Sequence, residues 1–227
     1  MALLFLADAI FIILHLLHAF SGLSGFRSPL LSIRTDGGYA EIYQYIKELW
    51  IVALLVFVAR RRSNLLFLCW SCLFLYLLLD DSLGIHENLG AFIASWTGIQ
   101  GGFGLRPEDF GELGISLFFG ALIIGSISLM HYLSEPVDRQ ISSLLFGLIA
   151  LLVFFGVFLD MVDIIIYNSA GISIFDTIED AGEMLVMSLT VWFTYSINSP
   201  PRQNWFHGRA NDVAGVTGRV DQGRDRK

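Results

Sequence analysis

The stretch NLLFLCWSCLFLYLLLDDSLGIHE, residues 64–87, decides how this chain is read. An almost unbroken apolar run from Leu65 to Leu79 ends on Asp80 and Asp81, with His86 and Glu87 close behind. A helix crossing a bilayer needs about 20 mostly apolar residues. A charged group near the middle of such a helix costs about 2.5–3.5 kcal/mol on insertion scales, so retained charges turn inward. The run therefore predicts a membrane span with carboxylates gathered near one end.

Composition extends this reading to the whole chain. Of 227 residues, 55% are hydrophobic and only 15% charged, against about 25% charged in ordinary soluble domains. Mean hydropathy is +0.64. The net charge of −7 is uneven: residues 202–227 carry six basic and three acidic groups, and the remainder is strongly acidic. That acidity argues against a nucleic-acid surface, which needs clustered Lys and Arg, and favours cations as small partners. Cys69 and Cys72 fall inside the apolar run, away from the positive surroundings that activate a thiolate, and read as packing residues.

Taken in order, the chain predicts an all-α polytopic membrane bundle of about six transmembrane helices. These cover about residues 2–24, 40–59, 64 through the Asp80 motif toward Ile93, 110–133, 141–167 and 175–197. The first run lacks the basic n-region of a signal peptide and reads as a helix. Residues 98–104 form a Gly-rich loop without a phosphate-loop ending. Ser199-Pro200-Pro201 stops the last helix. The division is thus a transmembrane domain, 1–199, and a polar, disordered tail, 200–227. Arg60, Arg61, Arg62, Arg139 and the basic tail place both termini in the cytoplasm, in a bacterial inner membrane, by the positive-inside rule.

With that orientation, most acids fall at the outer helix ends. Residues at i, i+3, i+4 and i+7 share a helical face. Asp176, Glu179, Asp180 and Glu183 fit this template, as do Glu41, Gln44, Tyr45 and Glu48. Asp80 and Glu87 are seven apart, Asp160 and Asp163 three apart, and His15 and His18 three apart. Such stripes should face one another or a wet cavity. Their mutual repulsion then needs a bound cation, shared protons, or Lys47 and Arg106 as counter-ions. The plainer readings are solvated helix ends for Glu41, Glu108, Asp109 and Asp176, and interhelical hydrogen bonds for the two histidines.

Mixed carboxylate and imidazole ligands suit zinc, iron or manganese. Asp81, His86, Asp160, Asp163, Glu179, His15 and His18 are the candidate ligands of a divalent metal, and Asp80, Glu87 and Glu183 the candidate catalytic groups. The metal would generate a hydroxide from its bound water, with a carboxylate such as Glu183 as general base. Glu-x-x-His pairs of di-iron bundles are absent. The Asp160-Met161-Val162-Asp163 segment lacks the glycine and Ala-Arg of CDP-alcohol phosphotransferases, and no HxxxH of ceramidase-like hydrolases occurs. LLLDDSLGIHENLG (77–90) together with IEDAGEML (178–185) resembles a pattern in uncharacterised bacterial multi-pass membrane proteins; the resemblance implies no activity.

Three functions stand open on this sequence. One is a metal-dependent enzyme, hydrolase-like, acting on a lipid or another hydrophobic substrate. Another is a cation- or proton-coupled transporter or channel. The third is a non-catalytic subunit of a membrane complex or a homo-oligomer, for which the Ser116/Gly120 and Ala121/Gly125 pairs offer close helix packing.

Overall fold

A computed structural model describes residues 2–20, 28–35, 37–99, 101, 106–159 and 174–199. Their helices are α1 (Ala2–Phe20), α2 (Tyr39–Arg62), α3 (Leu65–Leu83), α4 (Ile85–Thr97), α5 (Pro107–Leu133), α6 (Pro136–Val153) and α7 (Ile174–Asn198). A short 3-10 turn, Pro29–Leu31, precedes α2, and α6 runs on as a π-helical stretch, Phe154–Leu159. No strand occurs among the described residues, so the chain is an all-α bundle. Among the described residues, five helices are long and apolar enough to cross a membrane: α1, α2, α3, α5, and α6 with its π-helical continuation. Their outward faces carry Leu6, Ile13, Phe57, Leu117, Phe118 and Leu122, all exposed, as a multi-pass protein presents to lipid.

The helix expected to continue from residue 64 toward Ile93 is two helices. Gly84 adopts a left-handed conformation, φ +58°, which glycine reaches without the Cβ penalty. Its N–H bonds to the Asp80 carbonyl at 2.8 Å and closes α3. Asn64 opens α3 by accepting from the Leu66 N–H. The fifth predicted helix starts earlier than expected, at Pro136, and is α-helical only to Val153; residues 160–167 lie outside the description, as does the tail 200–227.

Packing centres on α3. Leu66, Phe67, Trp70 and Phe74 are buried against Ile51, Leu55 and Val58 of α2, Ile127 of α5, Leu145 of α6, and Met187 and Val191 of α7. The Trp70 indole N–H donates to Ser142 Oγ at 2.9 Å, so its polar atom is satisfied inside the core. α4 packs most extensively on α5. There Gly90 lies against Gly111, and a Cβ on Gly90 would come within 2.5 Å of the Glu112 backbone nitrogen. A Cβ added to Gly120 or Gly125 of α5 would meet nothing within 4 Å among the described residues, so that face is not used by the described helices.

Polar contacts fix the remaining helices. Lys47, 1% exposed, places its ammonium 3.2 Å from Asp8 Oδ1 of α1, itself fully buried. The same ammonium donates to the Met184 carbonyl at 2.8 Å and Ser188 Oγ at 3.4 Å on α7. One cation thus joins α1, α2 and α7. At the opposite end, Arg62 and Asn64 both donate to Asp138 at 2.7 Å, and Asn64 also donates to Ser134 at 3.2 Å.

Two outcomes test this architecture. Gly90→Leu overpacks the α4–α5 crossing and should cost about 1–3 kcal/mol, seen as a lower Tm in detergent, whereas Gly114→Leu, in open space on α5, should leave Tm unchanged. Lys47→Met strands the Asp8 charge and should cost about 3–5 kcal/mol. The double variant Asp8→Asn/Lys47→Met should recover most of that loss in the same unfolding measurement.

Candidate functional site

A cavity of about 860 Å³ opens beside the upper half of α2, walled by α3, α6 and α7 and by the segment before α2. The helical stripe Glu41, Gln44, Tyr45 and Glu48 supplies one wall. Seven residues at 1.5 Å each carry that stripe about 10 Å along the axis. Asp80, Asp81, His86 and Glu87 line a second wall, and Asp180 and Glu183 a third. Exposed Arg34, Gly37, Glu87 and Asn88 lie among its lining residues, so the cavity reaches the surface of the bundle there.

The rim carboxylates are engaged. Glu41 accepts from the Gly37 N–H and the Tyr45 hydroxyl. Tyr45 also donates to the Asp81 carbonyl at 2.9 Å, bridging α2 and α3. Asp80 accepts from the His86 backbone N–H at 2.9 Å, which supplies α4 with a capping partner across the Gly84 break. Asp80 Oδ2 also lies 2.9 Å from His86 Nδ1. That contact is close, but its direction misses hydrogen-bond geometry, and Nδ1 finds no hydrogen-bond partner.

The floor differs. Glu48 is fully buried, and neither carboxylate oxygen has a hydrogen-bond donor. Asp81 lines the same cavity. Two carboxylates that share a cavity resist joint ionisation and favour a proton or a cation between them. Glu183 is half-buried and feels the charge of Asp81 and Asp180. Its carboxylate rests on Gly156 of the π-helical stretch, where any Cβ would collide with it. Gly182, beside it, packs on the Phe155 ring. π-Helical insertions often mark functional positions; here the insertion carries the glycine that makes room for an acid.

The other candidates lie elsewhere. His15 is buried, and its Nδ1 faces Ser32 Oγ at 3.3 Å and accepts from the Ile33 N–H at 3.4 Å. With Nδ1 accepting, Nε2 carries the proton of the neutral ring and donates to Thr177 Oγ1 at 3.3 Å. Neither His15 nor His18 lines the cavity, nor does Glu179. Asp160 and Asp163, and the side chain of Asp176, fall outside the described residues. Among the described residues, no three His, Cys, Asp or Glu side chains converge as a metal-holding group.

The pairing of Lys47 with Asp8 was not expected, although both charges stand out in the sequence. Two opposite charges, each in an apolar helix, signal such a pair. A smaller cavity of about 420 Å³ at the other end of α2 is lined by Arg61, Arg62 and Asn198 among others. Its arginines are already engaged, Arg61 with the Asn198 carbonyl and Arg62 with Asp138.

No curated protein and no solved structure matches this chain. One family does, over residues 3–199, nearly the whole transmembrane region, and its description is a domain of unknown function, DUF8692. The chain, a multi-pass helical membrane protein with an acid-lined cavity, belongs to that family.

Proposed function

We propose that the cavity binds a cation and that the protein carries that cation, or protons in exchange for it, into or across the membrane. The observation that supports this reading is Glu48, a carboxylate shut away from bulk water with both oxygens free of donors, sharing with Asp81 a cavity that reaches the surface. Acids kept inside membrane helices are the usual material of ion paths and proton relays. The one ammonium close by, Lys47, is already held by Asp8, Met184 and Ser188. A positive charge from outside the chain would complete the floor. The basic residues at the far ends of α2 and α3, Arg60–Arg62, favour the orientation in which the cavity faces outward and both termini are cytoplasmic.

A second reading keeps a divalent metal and hydrolytic chemistry. Asp80 supports it, because its Oδ2 lies 2.9 Å from His86 Nδ1, placed where a small turn of the ring would make the carboxylate–histidine bond that leaves Nε2 for a metal. In that case His86, Asp81 and Glu183 would be the ligands nearest to hand, and zinc, iron or manganese the fitting ions. Metal analysis of the purified protein separates the readings. A stoichiometric transition metal lost in His86→Ala favours the enzyme.

Reconstituted liposomes provide the direct test. Protein-dependent uptake of a cation or of protons should fall about tenfold or more in Glu48→Gln and Asp81→Asn, the loss expected for one charged hydrogen bond. Glu108→Gln, outside the cavity lining, should transport as the unaltered protein does. Flux equal to empty liposomes, or undiminished in both cavity variants, would remove the transport reading.

A further inference from the structure

We infer that the ligand of this cavity is an organic ammonium, a primary amine on an apolar body, rather than a bare metal ion. The inference rests on the reading of the cavity as a cation site and adds the chemical class of the occupant.

The division between rim and floor carries the first step. Glu41 and Asp80 are occupied by Tyr45, Gly37 and His86, so they are parts of the frame. Glu48 is the fully buried carboxylate with two unpartnered oxygens, and it lines the cavity with Asp81 and Glu183. A cation placed there meets the floor acids without displacing an existing bond.

The chain itself shows what kind of cation this layer holds. Lys47 and Glu48 are consecutive on α2, and Glu183 and Met184 are consecutive on α7. Lys47 Nζ sits among a carboxylate, a main-chain carbonyl and a hydroxyl, three oxygen acceptors for the three protons of –NH3⁺. Glu48 follows Lys47 and Glu183 precedes Met184, and both add carboxylate acceptors to the cavity lining. An ammonium is therefore accommodated on one side of the α2–α7 contact by the chain, and on the other side the acceptors stand ready.

Size and lining complete the argument. Small-molecule sites measure about 300–1,000 Å³, and this cavity of about 860 Å³ lies in that range. Leu77, Leu152 and Met187 face it beside the acids, which suits an alkyl body. A divalent ion demands ligands at about 2.0–2.6 Å in a set geometry, and no three such ligands converge among the described residues. Hydrogen bonds from an ammonium, at about 2.7–3.2 Å, make no such demand on ligand geometry.

The test is titration calorimetry on full-length protein in nanodiscs, with empty nanodiscs subtracted. Hexylammonium should bind saturably, and hexanol, its neutral counterpart, at least about tenfold more weakly. Each methylene removed on the way to methylammonium should weaken binding about fourfold if the body is buried. Glu48→Gln should weaken hexylammonium about tenfold or more, and Asp81→Asn, on the exposed wall, carries the same expectation if Glu48→Gln does not fold. Equal binding of hexanol and hexylammonium, or affinity indifferent to chain length, overturns the inference. Saturable potassium or magnesium binding, or proton flux lost in Asp81→Asn, with no hexylammonium binding, overturns the amine class while leaving the cation site in place. No binding and no flux of any cation removes both.

Discussion

Lys47 lies about 12 Å along α2 from its start, with its ammonium closed off from water, and the arrangement of the neighbouring helices follows from what that burial requires. A lone ammonium in a low-dielectric interior is prohibitive, so Asp8 must come from α1, and a carbonyl and a hydroxyl must come from α7. Those demands bring three helices to one point. They also fix the direction of the next residue. Glu48 follows Lys47 about 100° round the helix and lines the cavity, where neither of its oxygens has a hydrogen-bond donor. The imbalance is local: two fully buried acids, Asp8 and Glu48, flank a single buried base.

The segment from Asp80 to Glu87 has a structural task alongside any chemical one. Gly84 turns the chain, Asp80 accepts the His86 N–H, and the Asn88 side chain returns to the Leu83 and Gly84 carbonyls. These bonds make a rigid elbow between a spanning helix and the short α4. With the elbow fixed, and with its carbonyl held by the Tyr45 hydroxyl, Asp81 is set on the wall of the cavity that Glu48 also lines. The π-helical stretch of α6 contributes similarly, by offering Gly156 where the Glu183 carboxylate needs room.

The stripes were legible because they are properties of one helix at a time. Glu41, Gln44, Tyr45 and Glu48 share a face by spacing alone, and that face lines the cavity. What was hidden depends on pairs of helices or on backbone conformation. Gly84 reads as a tolerated helix glycine until its positive φ is seen. Asp8 looked remote from the other acids because sequence gives no depth at which α1 meets α2, yet it holds Lys47. His15 and His18 have the spacing of ligands, but the loop before α2 and Thr177 of α7 take both ring nitrogens of His15. The tight α4–α5 crossing at Gly90 and Gly111 shows only once the two helices are placed together. Two candidates, Asp160 and Asp163, fall in residues the description does not cover.

The two ends of the bundle answer charge in opposite ways, and the contrast bears on whether the acids are merely solvated helix ends. At the basic end the buried carboxylate is closed by partners: Arg62 and Asn64 meet on Asp138, Asn64 reaches Ser134, and Arg61 donates to the Asn198 carbonyl, while His131 Nδ1 and Asn198 Oδ1 stay unbonded. Solvation alone would produce the same exposed, unpaired pattern at both ends. Instead the acidic end combines a closed rim with an open floor: Glu41 and Asp80 are bonded, while Glu48, the most buried carboxylate of the cavity, is not. An unsatisfied group in the interior costs about 1–3 kcal/mol, more when charged. Asp138 is paired twice, by Arg62 and Asn64, while Glu48 keeps both oxygens without a donor. A ligand that brought a positive charge to Glu48 would remove that cost, which is the physical content of the proposed cation site.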